Sequence, residues 1–290
     1  MAGAGLHRRS LIVILAGFGT WNHALITSTR NPKIQWVRAI QLQPKTRRDA
    51  GVFLVEGIRL LEEAYQHGWS PELVLFVEGI GDRGLELVNR YRDRGIQVEQ
   101  VAPHVLKAAA ETESPQGVLA VLPIIELPFP TSPTLILIVD SLRDPGNLGT
   151  ILRTAAAAAV EAVVLAPASV DPFSPKVVRA GMGAHFHLPI RSFGWAEIRD
   201  YAKTGSLDGP LKVYLADANS GLPYTLADFQ SPFALVIGGE AEGASQEARR
   251  WSDERVHIPL PGQSESLNAG IAAGILLFEA VRQRNPSRSL

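Results

Sequence analysis

The sequence contains no cysteine among its 290 residues, and this absence excludes several kinds of chemistry. Without cysteine the chain can form no disulfide, hold no cysteine-ligated zinc or iron–sulfur cluster and use no thiolate nucleophile. Long apolar runs are also missing, because none reaches the roughly 18 residues that a membrane-spanning helix requires. We therefore expect a cytoplasmic protein without a membrane span.

An excess of charge of one sign is lacking as well, since 28 lysines and arginines balance 29 aspartates and glutamates. The net charge of −1 excludes a uniformly basic nucleic-acid coat but allows a local basic patch. Such a patch is present: residues 28–59 hold seven basic residues against only two acidic ones, Asp49 and Glu56.

Several catalytic motifs are absent. The chain has no P-loop, no H-E-x-x-H pair and no G-x-S-x-G turn, so nucleotide-triphosphate, zinc-protease and serine-hydrolase chemistry lack support. We expect no metal ion. His185 and His187 lie two residues apart, a strand-like spacing that would place both on one face, and we interpret them as structural or substrate-side residues.

The apolar patterning predicts an α/β protein with two domains. In the first half, predicted strands alternate with predicted helices, at residues 52–55, 73–77 and 97–101 and at residues 32–42, 57–67 and 84–94. In the second half, continuous apolar runs are typical of strands buried on both faces of a parallel sheet, at residues 135–139, 163–165, 213–215 and 234–237.

Proline density and the N-terminal residues set the expected boundaries. Four prolines break regular structure over residues 123–133, which we interpret as a linker between a domain at 23–122 and a domain at 134–290. Residues 1–22 form an expected N-terminal extension. Within it, Arg8 and Arg9 precede a short apolar run in the outline of a signal peptide, but a misplaced start codon or a disordered tail fits this segment as well.

Three segments of the second half carry groups suited to chemistry. The first follows a buried strand and contains Asn147, an expected helix N-cap, and then Arg153 on a face bared by Gly149. The second is a strand that runs into a glycine turn with Glu240, the position where parallel sheets bind ligands. The third places Ser266 and Asn268 before the final helix, which is apolar on nearly all sides. Taken singly, each also fits an ordinary surface helix, turn or cap.

Together, the three segments resemble in order and sequence the three motifs of the SpoU/TrmH family of SPOUT-class RNA ribose 2′-O-methyltransferases. The matching sequences are D-P-G-N-L-G-T-I-L-R, L-V-I-G-G-E-A-E-G, and I-P-L followed by S-L-N-A. The resemblance covers about residues 134–284, and residues 27–121 resemble the family's ribosomal-protein-like substrate-binding domain. It implies a parallel sheet with a trefoil knot, S-adenosylmethionine as cofactor, and a homodimer whose site is completed across the interface. Ala156 and Ala159 replace the Asp and Gly frequent in the family, with little expected effect because both would continue a helix.

Carried over position by position, the resemblance also implies site residues. Those on the catalytic and substrate side are Asn147, Arg153, Glu240, Ser266 and Asn268. Those that contact the cofactor are Gly238, Gly239, Ile258, Leu260 and Leu267. The basic stretch fits RNA capture through phosphates, by Lys33, Arg38, Lys45, Arg47 and Arg48. Because a guanidinium is a poor base, we expect Arg153 to orient phosphate and ribose and to stabilise the developing oxyanion.

The expected substrate is 23S-type ribosomal RNA, because an N-terminal domain is appended to the methyltransferase domain. One alternative is the same chemistry on tRNA. Another is a non-catalytic RNA-binding assembly factor, against which the intact motif residues argue. A third is a small-molecule methyltransferase, against which the basic stretch argues.

Overall fold

The computed structural model describes residues 25–204, 209–240, 243–263 and 265–285. The expected N-terminal extension with its signal-like segment lies outside these residues. Packing divides the chain into two compact units, and the division falls between Ile124 and Ile125. Within the described ranges, no helix is both long enough and apolar enough to cross a lipid bilayer.

The first unit is a four-stranded mixed sheet packed against helices. Its strands are β1 (Val52–Glu56), β2 (Leu73–Phe76), β3 (Val98–Gln100) and β4 (Val118–Pro123), in the order β1-β4-β2-β3. Strand β4 runs antiparallel to β1 and β2, whereas β2 and β3 are parallel. The helices are α1 (Pro32–Leu42), α2 (Pro44–Ala50), α3 (Ile58–Gln66), α4 (Gly81–Asp93) and α5 (Pro103–Ala109).

Helix α1 begins where its sequence predicts. The Asn31 side chain accepts a hydrogen bond from the Lys33 backbone N–H, and Pro32 occupies the first helical position, where no donor is needed. The apolar residues Ile34 and Val37 of this helix are fully buried in the core of the first unit.

The proline-rich segment after β4 is held by side chains of the second unit. The ring of Phe129 packs 5.0 Å from the ring of Tyr201, whose hydroxyl donates to the Pro130 carbonyl at 2.7 Å. The Arg191 guanidinium donates to the Leu127 carbonyl at 2.7 Å. Part of the expected linker is therefore a docked element of the second unit.

The second unit is a seven-stranded sheet whose neighbouring strands are all parallel among the described residues. The strands are β5 (Leu135–Asp140), β6 (Ala162–Leu165), β7 (Ile190–Ser192), β8 (Lys212–Ala216), β9 (Leu222–Pro223), β10 (Phe233–Gly238) and β11 (Glu254–His257). Their order is β7-β6-β5-β10-β8-β11-β9. The helices are α6 (Pro145–Ala157), α7 (Pro175–Gly181), α8 (Trp195–Thr204), α9 (Gln246–Trp251) and α10 (Ala269–Arg284).

This architecture confirms the expected α/β class with a parallel sheet in the second half. Strand β5 is buried along its whole length and β10 along all but its last residue, as a position between two helical layers requires. The strand order brings the carboxyl ends of β8, β10 and β11 side by side. The trefoil knot stays a prediction.

Helix α6 ends before Ala159. Its last residue is Ala157, and Ala159 has a left-handed backbone with φ of 55°. The backbone N–H groups of Ala159 and Val160 donate to the carbonyls of Ala156 and Ala155, the Schellman pattern that closes a helix. Because this position favours glycine, the alanine is conformationally strained there. The expectation that Ala159 continues the helix is wrong.

Helix α6 packs closely on α7. A Cβ atom added to Gly149 would lie 2.4 Å from the Cβ of Ala180 and 2.8 Å from the carbonyl oxygen of Val177. Gly149 is therefore buried, and the expectation that it bares an accessible surface is wrong. Along another side of α6, a Cβ atom on Gly270 of α10 would lie 3.1 Å from the Thr150 methyl group.

Helix α10 has two apolar faces. Ala273 and Leu277 are fully buried in the core beneath the sheet. Ile271 and Phe278, two large apolar residues of the same helix, are 56% and 50% exposed. The helix is therefore buried on one side only, and an apolar surface stays open on the other.

Candidate active site

The carboxyl ends of β8, β10 and β11 border a cavity of about 160 Å³. Its walls come from the loops after these strands and from the first turns of α10. All the expected cofactor contacts line it, namely Gly238, Gly239, Ile258, Leu260 and Leu267. Two of the expected catalytic residues, Glu240 and Ser266, line it as well.

The glycine turn after β10 folds back tightly. Gly239 and Gly243 form an antiparallel bridge. A Cβ atom on Gly238 would lie 2.6 Å from the backbone nitrogen of Ala244, and one on Gly239 would lie 2.5 Å from the carbonyl oxygen of Ser141. The turn itself therefore requires glycine at both positions, and backbone forms this part of the cavity wall.

A chain of hydrogen bonds joins three of the expected catalytic residues. The Asn268 side-chain oxygen accepts from the backbone N–H groups of Gly270 and Ile271, at 2.9 and 3.3 Å, and so caps α10. This turns its amide nitrogen toward Asn147, whose oxygen accepts at 2.8 Å. The amide nitrogen of Asn147 in turn donates to Glu240 Oε1 at 2.6 Å. Because helix capping sets the first amide, the orientation of the whole chain is fixed.

Asn147 is available for this chain because another residue caps α6. The side chain of Asp144 accepts from the Asn147 backbone N–H at 2.7 Å, and Pro145 takes the first helical position. The expectation that Asn147 is the N-cap is therefore wrong. As a residue of the first turn, Asn147 projects its amide toward Glu240 and Asn268 instead.

Arg153 stands apart from this group. Its side chain is exposed, it does not line the cavity, and within the described chain it forms no hydrogen bond or ion pair. It lies six positions after Asn147 in α6, which corresponds to about 120° around the helix axis and about 9 Å along it. The structure brings Asn147, Glu240 and Asn268 together and places Arg153 on a different face.

Two carboxylates outside the expected set hold the loops around the cavity. Buried Asp140 accepts from the Ser245 backbone N–H at 2.6 Å. Asp217 lines the cavity and accepts from the Asn219 backbone N–H and from Arg249, each at 3.0 Å. Burial alone would raise the pKa of Asp217, but the Asn219 hydrogen bond and the Arg249 charge outweigh it and lower the pKa. The sequence signal that could have found them is that Asp140 ends the apolar run of β5 and Asp217 directly follows β8.

His185 and His187 do not share a face. His185 lies in a short 3-10 helix, Ala184–Phe186, and its Nε2 donates to the Pro172 carbonyl at 2.7 Å. Burial lowers the pKa of His185 to about 4, against opposing effects of the Pro172 hydrogen bond and Asp171. His187 is exposed. The expectation of a common face is wrong, and His185 has a structural role.

The basic residues of α2 in the first unit divide into two kinds. Lys45 and Arg48 are exposed. Arg47 is buried, and its Nη1 donates to the carbonyl oxygens of Ile40 and Gln41, at 2.6 and 3.0 Å, near the end of α1. Arg47 is therefore structural, and the expectation that it contacts RNA is wrong.

The two expected RNA contacts on α1 differ in their charge balance. Lys33 forms an ion pair with Glu99, so its positive charge is neutralised within the first unit. Arg38 is partly buried on the same helix. Of the five expected RNA contacts, Arg38, Lys45 and Arg48 are thus the ones whose charge is available to an external partner.

Family models match both halves of the chain. Residues 134–278 match the SpoU rRNA Methylase family, and residues 31–120 match the MRM3-like substrate binding domain. The chain belongs to the SpoU rRNA methylase family. The SpoU match contains the whole cavity and its hydrogen-bond chain, so the family expected from the three motifs is confirmed.

Relatives of the SpoU family resemble this chain along nearly its whole length. The 23S rRNA (guanosine(2553)-2′-O)-methyltransferase RlmP of Bacillus subtilis is 34% identical over 253 residues, which are 87% of this chain and 97% of that one. The 23S rRNA (uridine(2479)-2′-O)-methyltransferase of Streptomyces viridochromogenes is 33% identical over 274 residues, 90% of this chain and 93% of that one.

Solved structures agree with these relatives. The SpoU methyltransferase AviRb from Streptomyces viridochromogenes, in complex with the cofactor AdoMet (S-adenosylmethionine), has a TM-score of 0.79 and 31% identity. The match covers 88% of this chain and 98% of that one. Both units of the present protein thus have counterparts in a single solved chain.

Proposed function

We propose that this SpoU-family protein is an enzyme that transfers the methyl group of S-adenosylmethionine to a ribose 2′-hydroxyl of ribosomal RNA, most closely of the 23S type. The observation that carries the proposal is the cavity at the sheet edge with the Glu240–Asn147–Asn268 chain at its rim. Relatives of nearly the same length are named for this reaction. The expected cytoplasmic location stays part of this proposal, supported by the bacterial relatives.

The cavity suits a nucleoside cofactor. Ile258, Leu260 and Leu267 offer aliphatic surface for a purine ring, and the backbone at Gly238 and Gly239 offers polar groups for its edge. When bound, S-adenosylmethionine supplies an electrophilic methyl group on a positively charged sulfur. The chain's own contribution is to hold that group beside the hydrogen-bonded rim.

The rim residues position the ribose. The fixed orientation of Asn268 and Asn147 leaves the Glu240 carboxylate as the end of the chain, where it can accept hydrogen bonds from ribose hydroxyls. The Ser266 hydroxyl lies at the same cavity wall. Holding a nucleophile in line with its target can supply several kcal/mol of the barrier.

Arg153 serves the site of a second copy of the chain. Its exposed guanidinium has no partner within the described residues and points about 120° away from Asn147. Its forked donors suit an RNA phosphate and the developing oxyanion. Because Arg153 does not line the cavity of its own chain, we expect it to act at the cavity of the second copy in the dimer.

The homodimer forms through the open face of α10. Ile271 and Phe278 form an apolar surface there that is exposed to water in the monomer and would be buried in a dimer. Light scattering should give about twice 31.3 kDa, and Phe278→Asp should give a monomer. Leu85→Asp, at an exposed leucine of α4, is the matched control and should leave the mass unchanged. A monomeric wild-type protein that methylates RNA would contradict the dimer.

The first unit captures RNA. Positive charge is available on α1 and α2 at Arg38, Lys45 and Arg48, although the whole chain has a net charge of −1. Binding of RNA should therefore be confined to this part of the surface and be sensitive to salt. These residues would contact phosphates and contribute little sequence specificity, since phosphate contacts position the partner and base contacts specify it.

Mapping of 2′-O-methyl groups across ribosomal RNA and tRNA tests the function. A strain without this protein should lack a methyl group in the large ribosomal RNA, and the wild-type gene should restore it. Glu240→Gln should not restore it. Loss of a tRNA methyl group instead would favour the tRNA alternative, and unchanged RNA together with no cofactor binding would favour an assembly factor.

A further inference from the structure

Arg249, on α9, bridges two loops that border the cavity. Its Nε donates to the carbonyl oxygen of Ala244 at 3.2 Å, and its Nη1 donates to Asp217 Oδ2 at 3.0 Å. Ala244 belongs to the end of the glycine turn after β10, and Asp217 directly follows β8. Both of these residues line the cavity, whereas Arg249 lies behind them.

The guanidinium fits closely between these loops. A Cβ atom on Gly243, whose φ is 66°, would lie 3.2 Å from Arg249 Nη2, so the turn passes directly over the guanidinium. The Asp217 side chain is only 11% exposed, and Arg255 approaches its Oδ2 no closer than 3.8 Å. A partly desolvated, charge-assisted pair of this kind is stronger than an exposed ion pair.

We propose that Arg249 is a positioning residue for the cofactor, which fixes the spacing of the Asp217 loop and the glycine turn and so shapes the cavity for S-adenosylmethionine. The inference rests on the proposed function. Arg249 itself does not line the cavity, so it acts through the two loops that it joins. Its effect is to order two backbone walls before the cofactor arrives, so that binding need not order them.

The same helix offers a matched control for Arg249. Arg250 is the next residue, is also exposed, and lies over the Trp251 ring at 5.4 Å instead of reaching the cavity loops. Calorimetric titration should show that Arg249→Ala weakens S-adenosylmethionine binding by about 10-fold, or 1.4 kcal/mol. Arg250→Ala should stay within about 2-fold of wild type, an effect of under about 0.5 kcal/mol.

Steady-state kinetics separate positioning from a general structural role. Arg249→Ala should raise KM for S-adenosylmethionine while kcat and KM for RNA stay near wild type. Arg249→Lys should rescue only in part, because one ammonium cannot reach both Asp217 and Ala244 as the forked guanidinium does. Asp217→Asn should weaken cofactor binding as well, and adding Arg249→Ala to it should cause little further loss.

Hydrogen exchange of the cofactor-free protein gives a readout that needs no activity. Backbone amides of residues 217–221 and 243–245 should exchange faster in Arg249→Ala than in wild type and Arg250→Ala. Wild-type cofactor affinity in Arg249→Ala would overturn the inference and leave the proposed function standing. A parallel fall in kcat would also overturn it, by showing a general structural role. If wild type binds no S-adenosylmethionine, the proposed function fails.

Discussion

Mixing two inactive variants tests where Arg153 acts. Arg153→Ala should keep cofactor affinity, because Arg153 does not line the cavity, and should lose about 10²-fold or more of methyl transfer. Ile258→Arg places a cation in the wall of the cavity and should exclude the positively charged cofactor. Each variant alone should therefore be inactive, for unrelated reasons.

The expected recovery follows from counting sites in a two-fold symmetric dimer. When equal amounts of the two variants exchange subunits, about half of the dimers are mixed, and in each of these one intact cavity meets the intact Arg153 of the other subunit. About a quarter of the wild-type number of sites is then complete. If Arg153 served its own subunit, no mixed dimer would contain a complete site.

Tritiated-methyl incorporation into ribosomal RNA, measured on tagged subunits expressed together, checks this count. An equal mixture of Arg153→Ala with wild type is the control, since it should keep about half of the activity whichever subunit Arg153 serves. Activity near zero in the double-variant mixture would refute action across the interface. Near-normal transfer by Arg153→Ala alone would refute its catalytic role.

Three further changes give measurable outcomes. Replacing Lys45 and Arg48 with alanine should weaken RNA binding in anisotropy titrations. The slope of log binding constant against log salt concentration should become smaller by about 0.7 for each lost phosphate contact. Arg47→Ala should lower thermal stability and leave that slope unchanged. The pKa of His185 is about 4 in the folded protein and about 6.5 in the unfolded chain, so only the unfolded chain takes up this proton between about pH 7 and about pH 5. The free energy of unfolding of wild type should therefore fall by about 2 kcal/mol over this range. Denaturant unfolding should show this loss shrinking in His185→Gln, and an unchanged pH profile would contradict it. Ala159→Gly should raise the free energy of unfolding by about 0.5–1 kcal/mol, and a lower value would show that its left-handed backbone is unstrained.

The strands of the parallel sheet could be predicted closely from sequence because burial on both faces leaves continuous apolar runs. The run at 135–139 became β5 (Leu135–Asp140), and the run at 234–237 became the centre of β10. Start signals were less decisive at α6. Asp144 and Asn147 are both good caps, and the intervening Pro145 favours the earlier one.

The partners of charged residues could not be predicted from sequence. A stretch rich in lysine and arginine does not reveal that Arg47 turns inward to carbonyl oxygens of α1, because that depends on how α2 packs. The bridge from Arg249 to Asp217 joins positions 32 residues apart and is set by the order of β8 and β10 in the sheet. The family resemblance supplied the candidate site residues but not the hydrogen bonds among them.

The hydrogen-bond chain at the cavity rim also has a consequence for folding order. It joins Asn147 to Glu240 and Asn268 across 93 and 121 residues of intervening chain. Such distant pairings form late, because long loops must close before any of the contacts stabilises the others. Partly folded chains would therefore lack the rim, and the methyl donor would bind only completed molecules and draw the population toward them. S-adenosylmethionine would thus stabilise the folded state as well as react, so its cellular concentration would influence the fraction of molecules that are folded.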